Sequence, residues 1–236
     1  KLLRLKQEYL FVSAGLQTIL RSYEREYGQD WEHLADRVCI HTNDTHPALC
    51  GPELMRLLVD EKGVDFDLAF KICNQTLSYT NHTVMPEALE RWPIAMFRSL
   101  MPRTYMFVDE IDRRYRDSFP HDIENWQDLL RQTTILWDGE VRMANLSIIF
   151  SHSVNGVSAL HTSILEKTVL KAFFELEPEK FNNKTNGVTH RRFLAEANPP
   201  YAKLITDAIG KGWMDDALQL EKLLAYQNDA SFLQGM

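Results

Sequence analysis

From Leu2 to Tyr27 apolar residues recur every three or four positions, through Leu3, Leu5, Tyr9, Leu10, Val12, Leu16, Ile19 and Leu20. That period predicts one long amphipathic helix lying on a core, ended by Gly28-Gln29-Asp30. Beyond it, short apolar runs closed by polar turns alternate with helical stretches. Arg37 to Thr42 reads as a strand, Asn43-Asp44-Thr45-His46-Pro47 as its turn, and Pro52 to Asp60 as a helix with proline near its first turn. The pattern repeats: Asp67 to Gln75 is helical, Thr76 to Thr80 strand-like, Asn81-His82-Thr83 a polar turn, and Pro86 to Trp92 the next helix. Ile94 to Leu100, Tyr105 to Tyr115 and Trp126 to Thr133 read as helices, and the polar stretch from Phe119 to Asn125 as an exposed link.

The run Leu146-Ser-Ile-Ile-Phe150 has the length and β-branched content of a strand buried on both faces. Ser151-His152-Ser153 is then its turn, and a helix carries on through His161 to Phe174 until Pro178 stops it. Phe181 to Thr189 predicts a short strand ending in a polar turn at Thr185-Asn186-Gly187. From Arg191 the chain is helical again, with breaks at Asn198-Pro199-Pro200, a candidate edge of a second lobe, and at Gly210-Lys211-Gly212.

Strand–helix alternation of this kind implies an α/β fold with a parallel sheet. Such a sheet would gather the four polar turns along one edge, where open α/β sheets bind ligands. Those turns offer amides, hydroxyls and imidazoles with a single carboxylate, a set suited to the hydroxyls of a sugar. A metal site built from Asp44, His46, His82 and His152 is the competing reading, disfavoured because no pair has the i, i+4 spacing of a zinc hydrolase. Neither Ser151 nor Ser153 lies in a G-x-S-x-G elbow, and Asn155-Gly156 has one glycine where a dinucleotide fingerprint needs three. Glu87 and Glu90, beside Arg91, read as a solvated helix face with a local ion pair, and Trp92, Phe97, Tyr105 and Phe107 as core.

The 236 residues, 44% apolar and 25% charged, have the balance of a globular protein. A net charge of -7 argues against a nucleic-acid partner, whose phosphates need clustered cations. No stretch approaches the roughly 20 apolar residues that cross a bilayer. Three cysteines without paired spacing suggest neither a disulfide framework nor zinc, so a reducing, cytoplasmic setting is expected. The chain opens at Lys1 with a helix already under way and is expected to be a piece of a longer protein.

The segments LRLKQEY, NDTHP, YTNHTVMPEALERWP, ANLSIIFSHSVNGVSALHT and FNNKTNGVTHRR, with Asn198-Pro199, resemble the glycogen and starch (α-glucan) phosphorylase family in order and spacing. The resemblance implies reversible phosphorolysis of α-1,4-glucan by inorganic phosphate to α-D-glucose 1-phosphate. It also implies doubly wound lobes of the glycosyltransferase B type, a pyridoxal 5'-phosphate cofactor, and a homodimeric, allosteric parent enzyme. This chain would supply residues 1–185 as the latter part of the N-terminal lobe, and 186–236 as the lobe junction and start of the C-terminal lobe. The pyridoxal lysine would lie outside it, leaving the piece inactive alone.

By the same resemblance His152 is the catalytic histidine, its side chain on the glucose 6-hydroxyl and its carbonyl near the anomeric carbon. Asn186 binds the same hydroxyl, and Asp44 and His46 line the pocket. At Thr189-His190-Arg191-Arg192-Phe193 the chain departs from the family, which commonly has proline and tryptophan in place of His190 and Phe193; the departure bears on the lobe junction and on subgroup. The alternatives are a non-catalytic carbohydrate-binding or regulatory module derived from the same lobe and, less compatible with the long motifs, a nucleotide-sugar transferase lobe of the same fold.

Overall fold

The computed structural model describes residues 1–236 and divides into two compact units, Lys1–Thr185 and Asn186–Met236. Helix α1 (Leu2–Tyr27) buries Leu5, Val12, Leu16, Leu20 and Tyr23, the face that its apolar period predicts. Two residues on that face are polar, Glu8 and Ser13. The short α2 (Leu34–Arg37) leads into β1 (Ile40–Asn43), then α3 (Cys50–Arg56), a widened turn to Glu61, α4 (Phe66–Thr76) and β2 (Leu77–Thr80). Asp65 caps α4, its carboxylate accepting from the amides of Asp67 (2.9 Å) and Leu68 (3.3 Å).

A 3₁₀ turn at Pro86–Ala88 precedes β3 (Arg91–Pro93), and α5 (Ile94–Leu100), α6 (Pro102–Asp117) and α7 (Trp126–Thr133) follow. Next come β4 (Leu136–Trp137), β5 (Glu140–Arg142), α8 (Met143–Ile149), β6 (Ser153–Gly156), α9 (Ala159–Ile164), α10 (Lys171–Leu176) and β7 (Phe181–Asn183).

β1, β2, β6 and β7 form one parallel sheet in the order β1-β2-β6-β7, and β3, β5 and β4 a small antiparallel one. The first unit is therefore a mixed α/β structure, consistent with part of a lobe of the glycosyltransferase B type. In the parallel sheet Ile40 stands beside Leu77, Ser78 beside Ser153 and Val154 beside Phe181. A polar thread crosses three of its strands. The Thr80 hydroxyl donates to Asn155 Oδ1 (2.7 Å), so His41 donates to Thr80 Oγ1 through Nε2, and Asn155 Nδ2 donates to the Gly156 carbonyl (2.8 Å). Each buried polar group on that line has a partner, as burial demands.

The largest departure from the sequence reading lies at 146–150. The run expected as a strand is helix α8, buried at every position from Met143 to Ile149, and the strand is the polar-looking Ser153–Gly156. A continuous apolar run carries no period, so it describes a helix surrounded by core as well as a central strand. Phe150 closes α8 with its ring edge-on to Phe70, centroids 5.4 Å apart. Gly51, opposite, has no room for a side chain, since a Cβ there would lie 2.4 Å from Phe150 Cγ.

Two expected helices also differ. Pro86 to Trp92 is one 3₁₀ turn running into β3, which pairs with β5, and the helix through Phe174 is interrupted at Leu170. Asp138-Gly139, both at positive φ, turn β4 into β5 as the Asp-Gly pair favours.

Two buried carboxylates brace the unit. Glu53, fully buried, accepts from Ser13 Oγ (2.7 Å) and from both Nε and Nη2 of Arg56 (2.9 Å each). Asp112 accepts from the amides of Ile135 (2.6 Å) and Leu136 (3.1 Å) and from Arg116 Nε (2.7 Å).

The second unit packs Ala202, Ile205 and a fully buried Trp213 against Leu194, Tyr201 and Leu223. Its helices are α11 (Pro199–Ile209) and α12 (Ala230–Gly235). Pro199 and Pro200 occupy the first turn of α11 behind the Asn198 cap, so the Pro-Pro break lies inside this unit rather than at its edge. His190 reaches the Met214 carbonyl through Nε2 (3.0 Å).

Candidate functional site

The C-terminal edge of the parallel sheet is set by how β1 and β2 end. Asp44 continues the ladder, its amide donating to the Thr80 carbonyl (2.9 Å), and then takes a left-handed φ of 64° that turns the chain toward α3. Its Oδ1 accepts from the Thr45 amide (2.5 Å), the local bond by which aspartate tolerates that geometry. At the end of β2 the Asn81 amide donates to the Asn155 carbonyl (3.0 Å). The Asn81 side chain, fully buried, donates to Tyr79 Oη (3.0 Å) and accepts from the Thr83 amide (2.9 Å). Burial raises the Tyr79 phenol well above its ordinary range, so it stays neutral. This scaffold leaves the His82 ring exposed at the edge, with Nε2 hydrogen-bonded to Asn43 Oδ1.

Beside these two turns opens a cleft of about 990 Å³, lined by Asp44, Thr45, His46, Thr83, Glu87 and Glu90 among others. It is more acidic than the turns alone suggest. The strand geometry of Arg91–Pro93 points Arg91 at Glu140 (3.5 Å) rather than along a helix face, and Glu90 lies half-buried in the cleft wall. Trp92 completes the wall; like Phe97 and Phe107 it is buried, as core packing requires.

Asp44 and His46 therefore lie where the sequence places them, at one end of the sheet. His152 does not join them. It precedes β6, its amide donating to the carbonyl of Leu77, the first residue of β2, and its Nδ1 lying 3.2 Å from the Asn74 carbonyl. That is the opposite edge, separated from the cleft by the length of β2, roughly 10 Å at about 3.3 Å per residue. The misplacement follows directly from reading 146–150 as a strand, because a histidine after a strand and one before it sit at opposite ends.

Asn186 is the exposed first residue of the second unit. The metal set Asp44, His46, His82 and His152 does not assemble either. The donors that do converge are His46, Glu8 and Glu90. Periodicity carried a signal for Glu8, a carboxylate on the same helical face as Leu5, Val12 and Leu16.

A further histidine lies outside the four polar turns. His161, at the start of α9, accepts from the Val157 amide at Nδ1 (3.1 Å), and burial lowers its pKa, so the ring is held neutral. Gly156 makes room for it: a Cβ there would lie 2.8 Å from His161 Nδ1.

A parallel α/β sheet with amides, hydroxyls, imidazoles and carboxylates along its C-terminal edge is an arrangement at which open α/β folds bind small ligands. Comparison with known proteins gives the particular family. The carbohydrate phosphorylase family model matches residues 1–236, and the chain belongs to that family. It is 47% identical to the brain form of glycogen phosphorylase from Rattus norvegicus over 99% of its own length, and 46% identical to the brain form from Bos taurus. To the muscle form from Oryctolagus cuniculus it is 45% identical. In each case the chain spans 29% of the relative.

Pyridoxal phosphate, which the family resemblance implies, needs a lysine to hold it, and the residues present do not fit that role. The best-covered lysines are engaged elsewhere, Lys180 with Glu177 (2.9 Å) and Lys62 with Glu24 (2.6 Å), and the only lysine at the cleft is Lys1.

Proposed function

We propose that this chain is the glucose-holding part of an α-glucan phosphorylase, a glycosyltransferase that cleaves α-1,4-glucan with inorganic phosphate to give α-D-glucose 1-phosphate. The observation that supports this best is the meeting of the turns Asp44–His46 and Asn81–Thr83 at one edge of a parallel sheet, in a chain matched to the family along its whole length. The histidine assigned to the glucose 6-hydroxyl is His82 in this reading, not His152. Its imidazole is held by Asn43 and exposed at the sheet edge, one residue before Thr83 of the cleft lining, and its main-chain carbonyl would serve as a fixed dipole toward positive charge developing at the anomeric carbon. Asp44 and His46 hydrate and shape the pocket.

The domain reading stands beside it: residues 1–185 belong to the N-terminal lobe and 186–236 to the junction with the C-terminal lobe. Pyridoxal 5'-phosphate, regulation, a homodimeric assembly and a cytoplasmic setting belong to the parent enzyme under the same proposal. The test compares two variants of the full-length protein. His82→Ala is expected to lower turnover about tenfold or more, the loss of one or two substrate hydrogen bonds at about 1 kcal/mol each. His152→Ala is expected to leave turnover within about twofold and to cost at most about 1 kcal/mol of stability. The reverse ranking would return the role to His152. The 236-residue chain alone should release no glucose 1-phosphate, and a measurable release would contradict its being half a site.

A further inference from the structure

Glu8, His46 and Glu90 come from three separate elements: the buried face of α1, the turn after β1 and the approach to β3. Each presents one donor atom, and the three atoms lie within 4.8 Å of one another. Glu8 is 5% exposed. Its Oε1 takes Arg4 Nε (2.7 Å), while Oε2 is buried with no partner, as is Glu90 Oε1. A buried carboxylate oxygen without a hydrogen bond costs free energy, and two facing each other repel as well.

We propose that Glu8, His46 and Glu90 form a site for a borderline divalent cation of the zinc class, clamping α1, the turn after β1 and the approach to β3 at the wall of the cleft. Two carboxylates and an imidazole are a donor set that Zn²⁺ accepts. Bonds of about 2.0–2.2 Å in a tetrahedral shell place donors about 3.3 Å apart, so closing the site takes a contraction of at most about 1.5 Å, within the reach of side-chain rotation. His46 is exposed, which leaves an entry path and a fourth position facing the cleft. A proton shared by the two acids would relieve their repulsion but leave the imidazole without a part.

The site is independent of the phosphorylase reading, because its test contains neither sugar nor phosphate. Metal-stripped protein is titrated with Zn²⁺ by calorimetry and in competition with a chromophoric chelator, and Co²⁺ is added separately to read its visible absorption. One ion per chain is expected. Affinity should fall about tenfold or more in Glu8→Gln, Glu90→Gln and His46→Ala, and the Co²⁺ bands should be lost with it. His46 is exposed, so its variant decides the matter even if a carboxamide at position 8 or 90 prevents folding. No saturable binding below millimolar Zn²⁺, which leaves a shared proton only, or equal affinity in wild type and His46→Ala, would overturn the proposal.

Discussion

Replacing Gly51 with alanine tests the packing that sets α8 against α3. The added Cβ would lie 2.4, 2.7 and 2.9 Å from Cγ, Cδ2 and Cβ of Phe150, where carbon atoms in contact keep about 3.5–4.0 Å. Relief must come from Phe150, which is 1% exposed and wedged edge-on against Phe70, or from a shift of one helix. Overpacking of a filled core costs about 1–3 kcal/mol, and a clash with the root of a ring belongs at the upper end, near 3. Urea denaturation followed by tryptophan fluorescence would register it as a lowered midpoint with unchanged slope. Phe150→Leu alone should destabilise, yet in the Gly51→Ala background it should cost less or even stabilise, giving a coupling of about 1 kcal/mol or more in the double-mutant cycle. Gly51→Ala within about 0.5 kcal/mol of wild type, or an additive cycle, would show that the two residues do not touch.

Asp112→Ala removes the acceptor of two amides and of Arg116 at once, so it should cost about 3 kcal/mol by urea midpoint. Asp112→Asn, which keeps one acceptor oxygen, should cost distinctly less. The cysteines should separate by reactivity. Cys39 is exposed, whereas burial pushes the Cys50 thiol up to about 12 and raises that of Cys73 well above its ordinary range. A thiol reagent at neutral pH should therefore titrate one cysteine in native protein and all three in denaturant. Rapid native labelling of Cys73 would contradict its burial.

Much of the architecture is legible along the chain because some elements carry a period. Helix α1 is read over its full Leu2–Tyr27, and α5 and α7 at their observed ends, since each is amphipathic and bounded by turn residues. Strand β2 is nearly so. The failure at α8 has the opposite cause: an element apolar on every side has no face to announce. Strand β6 was hidden because its central asparagine satisfies its amide inside the sheet, so polarity there does not mean exposure.

That one exchange carried the site with it. Reading 146–150 as a strand puts His152 at the C-terminal edge of the sheet, the edge at which the structure places the turn of His82. Glu90 was lost for a related reason, since a proline-led segment with i, i+3 acids looks helical until β5 pairs with it.

The thread from His41 through Thr80 to Asn155 behaves as an alignment pin. Sliding β2 by one residue against either neighbour would bring Tyr79 or Asn81 to the place of Thr80, and strand both the imidazole and the carboxamide. The same slide would advance or retract the whole rim by about 3.3 Å, a shift larger than a hydrogen bond tolerates. How far Asp44 and His82 project from the sheet edge is therefore gauged from within, three strands deep.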